Sequence, residues 1–462
     1  MSTFHTRRAF LRLTAVGAAG ALLAACAPKV VEVTKIVEKE KVVKETVVVK
    51  EEVKPAGPEK KIVRFILSSW AVGEIPFDRL AREFNEQNPG VQVVIETDAE
   101  GWDTKLIAQI NQGKPEWCGV GILTPFLDMA RWTAIKMVQP MDDYIAASKQ
   151  EGAKDILSDM IESVKTDASA EGKVYCIPYS FENITFNWRV DYFNAVGAKE
   201  TPATWDDWYR IAKELKTWGK DQNIVPTSFV GALWTDIGAL ICSSMKSPYT
   251  AEGLINWDAP EAVESLAFYK KLVSEELTPK HGFDGWYEMF SAGKIASVQA
   301  QSSRGVWGQM FFGNEKMATS PIPEKVKGGG SGTVYWGNGV ALVNKGPYPQ
   351  EAMDYIIFTM GPQNEDFQRT VIKTGKTPVY KSAYDKIILA DPSFNTYKWM
   401  TTMRDDVARS VRVPVNTYYL IQHTMFAKWI VNFTEPGSTM TPQECAQGIL
   451  KDSKDEIAKQ KL

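Results

Sequence analysis

Histidine is almost missing from these 462 residues, with three copies, and cysteine is sparse, with five. So few imidazoles and thiols leave little material for a metal centre, a redox pair or a nucleophile–base couple, and neither metal nor cofactor is expected. No basic excess exists: 53 Lys and Arg face 56 Asp and Glu, for a formal charge of −3. That balance excludes the electrostatic footprint of a nucleic-acid binder. No G-x-S-x-G or H-E-x-x-H pattern occurs, so two familiar hydrolase arrangements are absent. Long apolar runs are also lacking outside the first 25 residues. What is plentiful is tryptophan, 15 copies, none before Trp70.

The first residues read as an address. Arg7-Arg8-Ala9-Phe10-Leu11-Arg12 precedes an uncharged, small-residue-rich stretch from Leu13 to Ala25. A basic segment followed by a short apolar one is an export signal, too short for a stable membrane span. The paired arginines resemble a twin-arginine signal, and Leu23-Ala24-Ala25-Cys26 resembles a lipobox, whose cysteine is acylated. Residues 1–25 are therefore expected to be a lipoprotein signal peptide and Cys26 the lipidation site. The resulting location is extracytoplasmic, anchored to the lipid bilayer. Residues 26–60 form a Val/Glu/Lys tether with branched pairs every six positions: Val30-Val31, Ile36-Val37, Val42-Val43 and Val48-Val49. Six fits neither a heptad nor an α-helical face, which favours an extended stalk; a short helical oligomerisation stalk is the second reading.

From Lys61 the pattern alternates. Ile62 to Leu67 is a buried-strand run, and Phe77 to Phe84 carries apolar residues at helical spacing up to the Asn88-Pro89-Gly90 stop. Val91 to Ile95 is a second strand, and Thr104 to Asn111 a second helix. Alternation of this kind implies an α/β fold with a mostly parallel sheet, which binds ligands beyond the carboxyl ends of its strands. Thr204, with Asp207 three residues on, predicts a capped helix start. Gly328-Gly329-Gly330-Ser331-Gly332 reads as a flexible loop without phosphate-binding spacing.

Five segments carry a resemblance. Phe84-Asn85-Glu86-Gln87-Asn88-Pro89-Gly90-Val91-Gln92-Val93 is similar to the opening "F-x-x-x-x-P-G-I-x-V" of family 1 extracellular solute-binding proteins, the maltose-binding-protein-like receptors of ATP-driven importers. Val138 to Ile145, Gly172 to Tyr179, Thr201 to Trp208 and Phe290 to Ala296 resemble later family segments in the family's order. Cys118 and Lys136 depart from it, standing where the family often has Asp and Gly. The resemblance implies a two-lobed periplasmic-binding-protein-like fold (type II), with a hinge between the lobes. It maps lobe one to 61–178 plus 338–390 and lobe two to 183–333 plus 391–462.

It also implies a function: capture of a mono- or oligosaccharide in the interlobe cleft and delivery to the permease subunits of an ABC importer, without chemistry on the ligand. A sugar needs flat aromatic faces for its C–H patches and charged or amide groups for its hydroxyls. Family position and flanking residues nominate Trp70, Tyr179, Glu182, Trp234, Asp236, Arg304, Trp307, Trp336 and Asn338 as ligand-binding. Asp103 beside Trp102, and Arg412, are weaker candidates. Trp188, Trp205, Trp208, Trp218 and Trp429 are assigned to packing. Three alternatives stand beside this reading: an anchored carbohydrate-active hydrolase, a receptor for a non-sugar solute such as glycerol phosphate, and a surface adhesin. Ser243-x-x-Lys246 and Lys373-Thr374-Gly375 match two marks of penicillin-recognising enzymes, but the third is missing between them. Cys118, Cys176, Cys242 and Cys445 allow three disulfide pairings or none.

Overall fold

Seven residues, Lys61–Leu67, form the first strand, β1: Val63, Phe65 and Leu67 enter one core and Ile66 a cluster on the other side, while Lys61, Ile62 and Arg64 are exposed. It pairs in parallel with β2 (Val91–Thr97), Val63 opposite Val93, and with β3 (Gly119–Thr124), Phe65 opposite Gly119. The intervening helix Phe77–Gln87 buries Phe77, Leu80, Ala81 and Phe84, one continuous stripe. Asn88 ends it by donating its side-chain amide to the Phe84 carbonyl at 2.8 Å. This computed structural model describes residues 60–99, 101–124, 128–410 and 418–460. The signal peptide, the Cys26 lipobox, the tether and Arg412 lie outside the described residues.

Two crossover strands organise the rest. The first, Ile177–Arg189, is buried along all 13 residues. Its first half pairs antiparallel with the second crossover strand, Tyr335–Val343, which in turn pairs with β3. Its second half pairs antiparallel with Ser297–Gln301 and Met317–Ser320. One strand therefore threads both halves of a mixed ten-stranded sheet ordered, along its main path, β2, β1, β3, second crossover, first crossover, Ser297–Gln301, Ser228–Phe229.

Two hydrophobic cores change over on those strands. Phe181 belongs to the first core and Ile184 to the second; Val334 belongs to the second and Tyr335 to the first. Core membership thus changes at Glu182–Asn183 on one strand and at Val334–Tyr335 on the other. The first core also takes in Phe394, Met400 and Val407, residues the sequence reading gave to lobe two. Asn183 donates to the Met403 carbonyl at 3.1 Å, which ties the helix Trp399–Arg409 to the crossover.

Local expectations fare unevenly. Thr204 caps the helix Trp205–Trp218 by accepting from the Asp207 amide at 3.2 Å. The glycine segment, read as flexible, leaves Gly328 exposed in open space but is packed down from Gly330 to Gly332. A side chain at Gly330 would stand 2.9 Å from the Cys242 carbonyl, and Ser331 donates its amide to that carbonyl at 2.8 Å. Cys118, Cys176, Cys242 and Cys445 are buried free thiols, their pKa values raised by burial.

Candidate functional site

The carboxyl ends of β1 and β3 open onto a small cavity of about 50 Å³, lined among others by Leu67, Trp70, Leu123, Asp128, Tyr179 and Asn338. Trp70 sits in the helix Ser69–Glu74, which starts two residues after β1, and leaves 42% of its surface exposed. The Ser69 amide donates to Asp98 at 2.8 Å and fixes this turn. Asn338, buried on the second crossover strand, donates to Ser180 Oγ at 3.0 Å. Tyr179 lies under the cavity, edge-on to Phe77 and Phe367, and burial pushes its phenol pKa well up. Asp128 accepts from the Leu123 amide at 3.1 Å. Burial raises its pKa to about 6, with Asp103 adding to the shift and the Leu123 hydrogen bond and Arg131 opposing it.

A charged cluster adjoins this cavity. Lys376 is only 3% exposed, pairs with Glu74, and stands 4.0 Å from Glu182 and 5.3 Å from the Trp70 ring centroid. Gly375, at φ +85°, delivers it; a Cβ there would lie 2.8 Å from the Ser303 Cα, so this segment rests directly on the start of the helix Ser303–Phe312. From that helix Arg304 lies over the Trp307 ring at 3.5 Å and reaches Trp286 at 5.9 Å. Burial lowers the Arg304 pKa, while the charges of Glu182 and Glu74 support its protonated form. Trp70, Glu182, Arg304 and Trp307 therefore come together, around Glu74 and Lys376, which sequence reading missed. Nothing at positions 74 and 376 marks them; only the fold brings residues so far apart into contact.

Trp336 stands opposite Glu182 in the crossover ladder and is half-buried against the second core. Trp234 is 2% exposed and lies parallel to Tyr419, ring centroids 5.5 Å apart at 16°; Tyr419 stacks in turn on His423. Asp236 is fully buried beneath it. Its carboxylate accepts from the Gly231 amide at 3.1 Å and from Thr235 Oγ1 at 2.9 Å, with His281 Nδ1 at 3.6 Å. Asp103 pairs with Arg131 at 3.2 Å, and Trp102 packs edge-on against Trp132. Trp188, Trp205 and Trp208 are buried in the second core. Ser243, half of the enzyme-like pair, donates to the Leu240 carbonyl and accepts from the Trp205 indole, both buried. Among the described residues, no group of three or more His, Cys, Asp or Glu is placed to hold a metal ion, and no helix is long and apolar enough to cross a membrane.

The sequence profile of bacterial extracellular solute-binding proteins matches residues 79–401. A Brucella abortus (strain 2308) relative, described as a binding protein without a stated ligand, is 21% identical over 51% of this chain and 57% of its own length. The diacetylchitobiose binding protein DasA of Streptomyces coelicolor is 26% identical over 37% of this chain and 39% of its own. The chain thus spans 57% of the Brucella relative's length and 39% of DasA's. Among solved structures, the ABC substrate-binding protein Lmo0181 of Listeria monocytogenes, in complex with cycloalternan, superposes with a TM-score of 0.69 at 17% identity, covering 87% of this chain and all of that one.

Proposed function

The chain belongs to the bacterial extracellular solute-binding proteins, and from that premise we propose that it captures a sugar between its lobes and hands it to the membrane subunits of an ABC importer. The family is one of binding proteins, not enzymes, and its description places it outside the cytoplasm. The observation that carries the sugar reading is the junction of aromatic and charged groups at the crossover. Trp70, Trp307 and Trp336 keep part of their surface uncovered, while Glu74, Glu182, Lys376 and Arg304 supply donors and acceptors in the same region. Aromatic faces meet the C–H patches of a pyranose, and carboxylates and cations bind its hydroxyls. The sugar-type ligands named for DasA and for the Listeria receptor support this class.

Binding free energy would favour the lobe arrangement in which both halves touch the sugar, by its affinity difference between arrangements. The switch of cores within three residues of the first crossover strand supports a motion there. Acylation of Cys26 and the tether after it would hold the receptor at the membrane, within reach of the permease.

A thermal-shift screen over neutral sugars, sugar acids, sugar phosphates, amines and short peptides tests the reading. A specific sugar, present well above its dissociation constant, should raise the unfolding midpoint. A response to peptides or amines alone would remove the sugar assignment while leaving the family unchanged.

A further inference from the structure

We propose that the captured sugar carries an oxyanion, a carboxylate or a phosphate, and that this group seats where the first turn of the helix Ser303–Phe312 meets the Gly375–Thr377 segment, on the Arg304 guanidinium. The proposal rests on the sugar reading above and narrows it to acidic sugars.

The starting point is uneven pairing in a cluster of two cations and two carboxylates. Lys376 has its counterion, Glu74, with Glu182 4.0 Å away. Arg304 has none: among the described residues no carboxylate lies within 4.0 Å of it, and its one hydrogen bond is a long 3.5 Å contact to Ser303 Oγ. Its Nε is buried and makes no hydrogen bond among the described residues. Stacking on Trp307 at 3.5 Å covers one face of the fork but satisfies none of its N–H groups. A guanidinium cannot shed its proton to escape burial, so a recessed one calls for an acceptor. Its planar array of donors fits the paired oxygens of a carboxylate or phosphate better than a single hydroxyl.

Other groups at the same place favour the same kind of ligand. Ser302 precedes the ten-residue helix, whose first-turn amides and dipole carry partial positive charge. Ser302 and Thr377 are both completely buried, and neither hydroxyl has a hydrogen-bond partner among the described residues. Unmet buried hydroxyls are uncommon in folded proteins and call for an explanation. The close approach of Gly375 to Ser303 brings these two segments side by side. Glu182 and Glu74 favour the charged guanidinium from beyond ion-pair distance, without filling its donor positions.

Calorimetric titration of the full chain with matched probes decides the matter. Each hexose or disaccharide of a panel is used as the neutral sugar, its uronate and its phosphate, with acetate and inorganic phosphate as fragments. At least one acidic probe should bind tenfold or more tightly than its neutral parent, with affinity falling as salt rises. Arg304→Gln should reduce that preference to within about twofold, Arg304→Lys should retain part of it, and neither should lower the melting midpoint by more than a few degrees. Uronate and phosphate arms separate the two oxyanions. Neutral sugars binding as well as or better than acidic ones would overturn this proposal and leave the sugar reading standing. Equal loss of both by Arg304→Gln would also overturn it. Binding of no sugar of any kind would overturn both.

Discussion

The ammonium of Lys376 pairs with the Glu74 carboxylate while standing 5.3 Å from the centroid of the Trp70 ring. Three residues from two distant segments thereby meet beside the cavity at the ends of β1 and β3, and Glu182 on the crossover strand lies 4.0 Å from the same nitrogen. Lys376→Met should leave the carboxylates of Glu74 and Glu182 without their nearest cation. A loss of about 3 kcal/mol is expected, the order found when one partner of a buried ion pair is removed. Urea denaturation measures it, and Lys376→Met combined with Glu182→Gln should recover part of the loss. Full additivity of the two substitutions would show that the groups are not coupled.

Asp128 predicts a pH dependence. Burial raises its pKa from 3.8 to about 6, so between those values the folded protein binds more protons at this site than the unfolded chain. Stability from this group is therefore greatest in acid, falls as pH rises through the window from about 4 to about 6, and stays lower above it. Two pKa units correspond to about 3 kcal/mol. Comparing melting curves at pH 4.5 and 7.5, Asp128→Asn should lose less stability on going to pH 7.5 than the parent protein does. Equal changes in the two proteins would refute the assignment.

Asp236 is expected to act on the loop and not on the ligand. Its carboxylate is fully buried and gathers the Gly231 amide, the Thr235 hydroxyl and, more loosely, His281. Asp236→Ala leaves those donors unmet and should cost about 3 kcal/mol, read as a lower midpoint in denaturant. Affinity measured on the fraction that remains folded should change less than threefold. A loss of binding at unchanged stability would put Asp236 in direct contact with the solute.

Much of the architecture was legible from residue patterns. The apolar run at Ile62–Leu67, the stripe at Phe77–Phe84 and the Thr204 cap each depend on neighbours a few positions away, so local spacing announces them. The proposed site was legible only where position along a strand or crossover decides exposure, as for Trp70 after β1 and Trp336 opposite Glu182. Glu74, Lys376 and Asp128 went unseen because their roles come from long-range juxtaposition, and an isolated Lys or Asp in a loop normally faces water. Trp234 shows the converse: its glycine-flanked segment suggested an open platform, yet the ring is 2% exposed and stacked on Tyr419 from a helix near the chain's end. The packing of Gly330 was hidden for the same reason, since Cys242, which it packs against, is remote in sequence.

The central claim is that a sugar binds at the crossover junction, on tryptophan faces that packing leaves partly uncovered. Calorimetric titration of the sugar selected by thermal shift tests it, against the parent protein, Trp307→Ala and Trp205→Ala. Trp205 stacks on Phe268 at 4.7 Å inside the second core, so its loss should lower stability by about 4 kcal/mol while the folded fraction keeps its affinity. Trp307→Ala should weaken binding at least tenfold with a small effect on the midpoint. Unchanged affinity in Trp307→Ala, or an equal loss in both variants, would contradict the account.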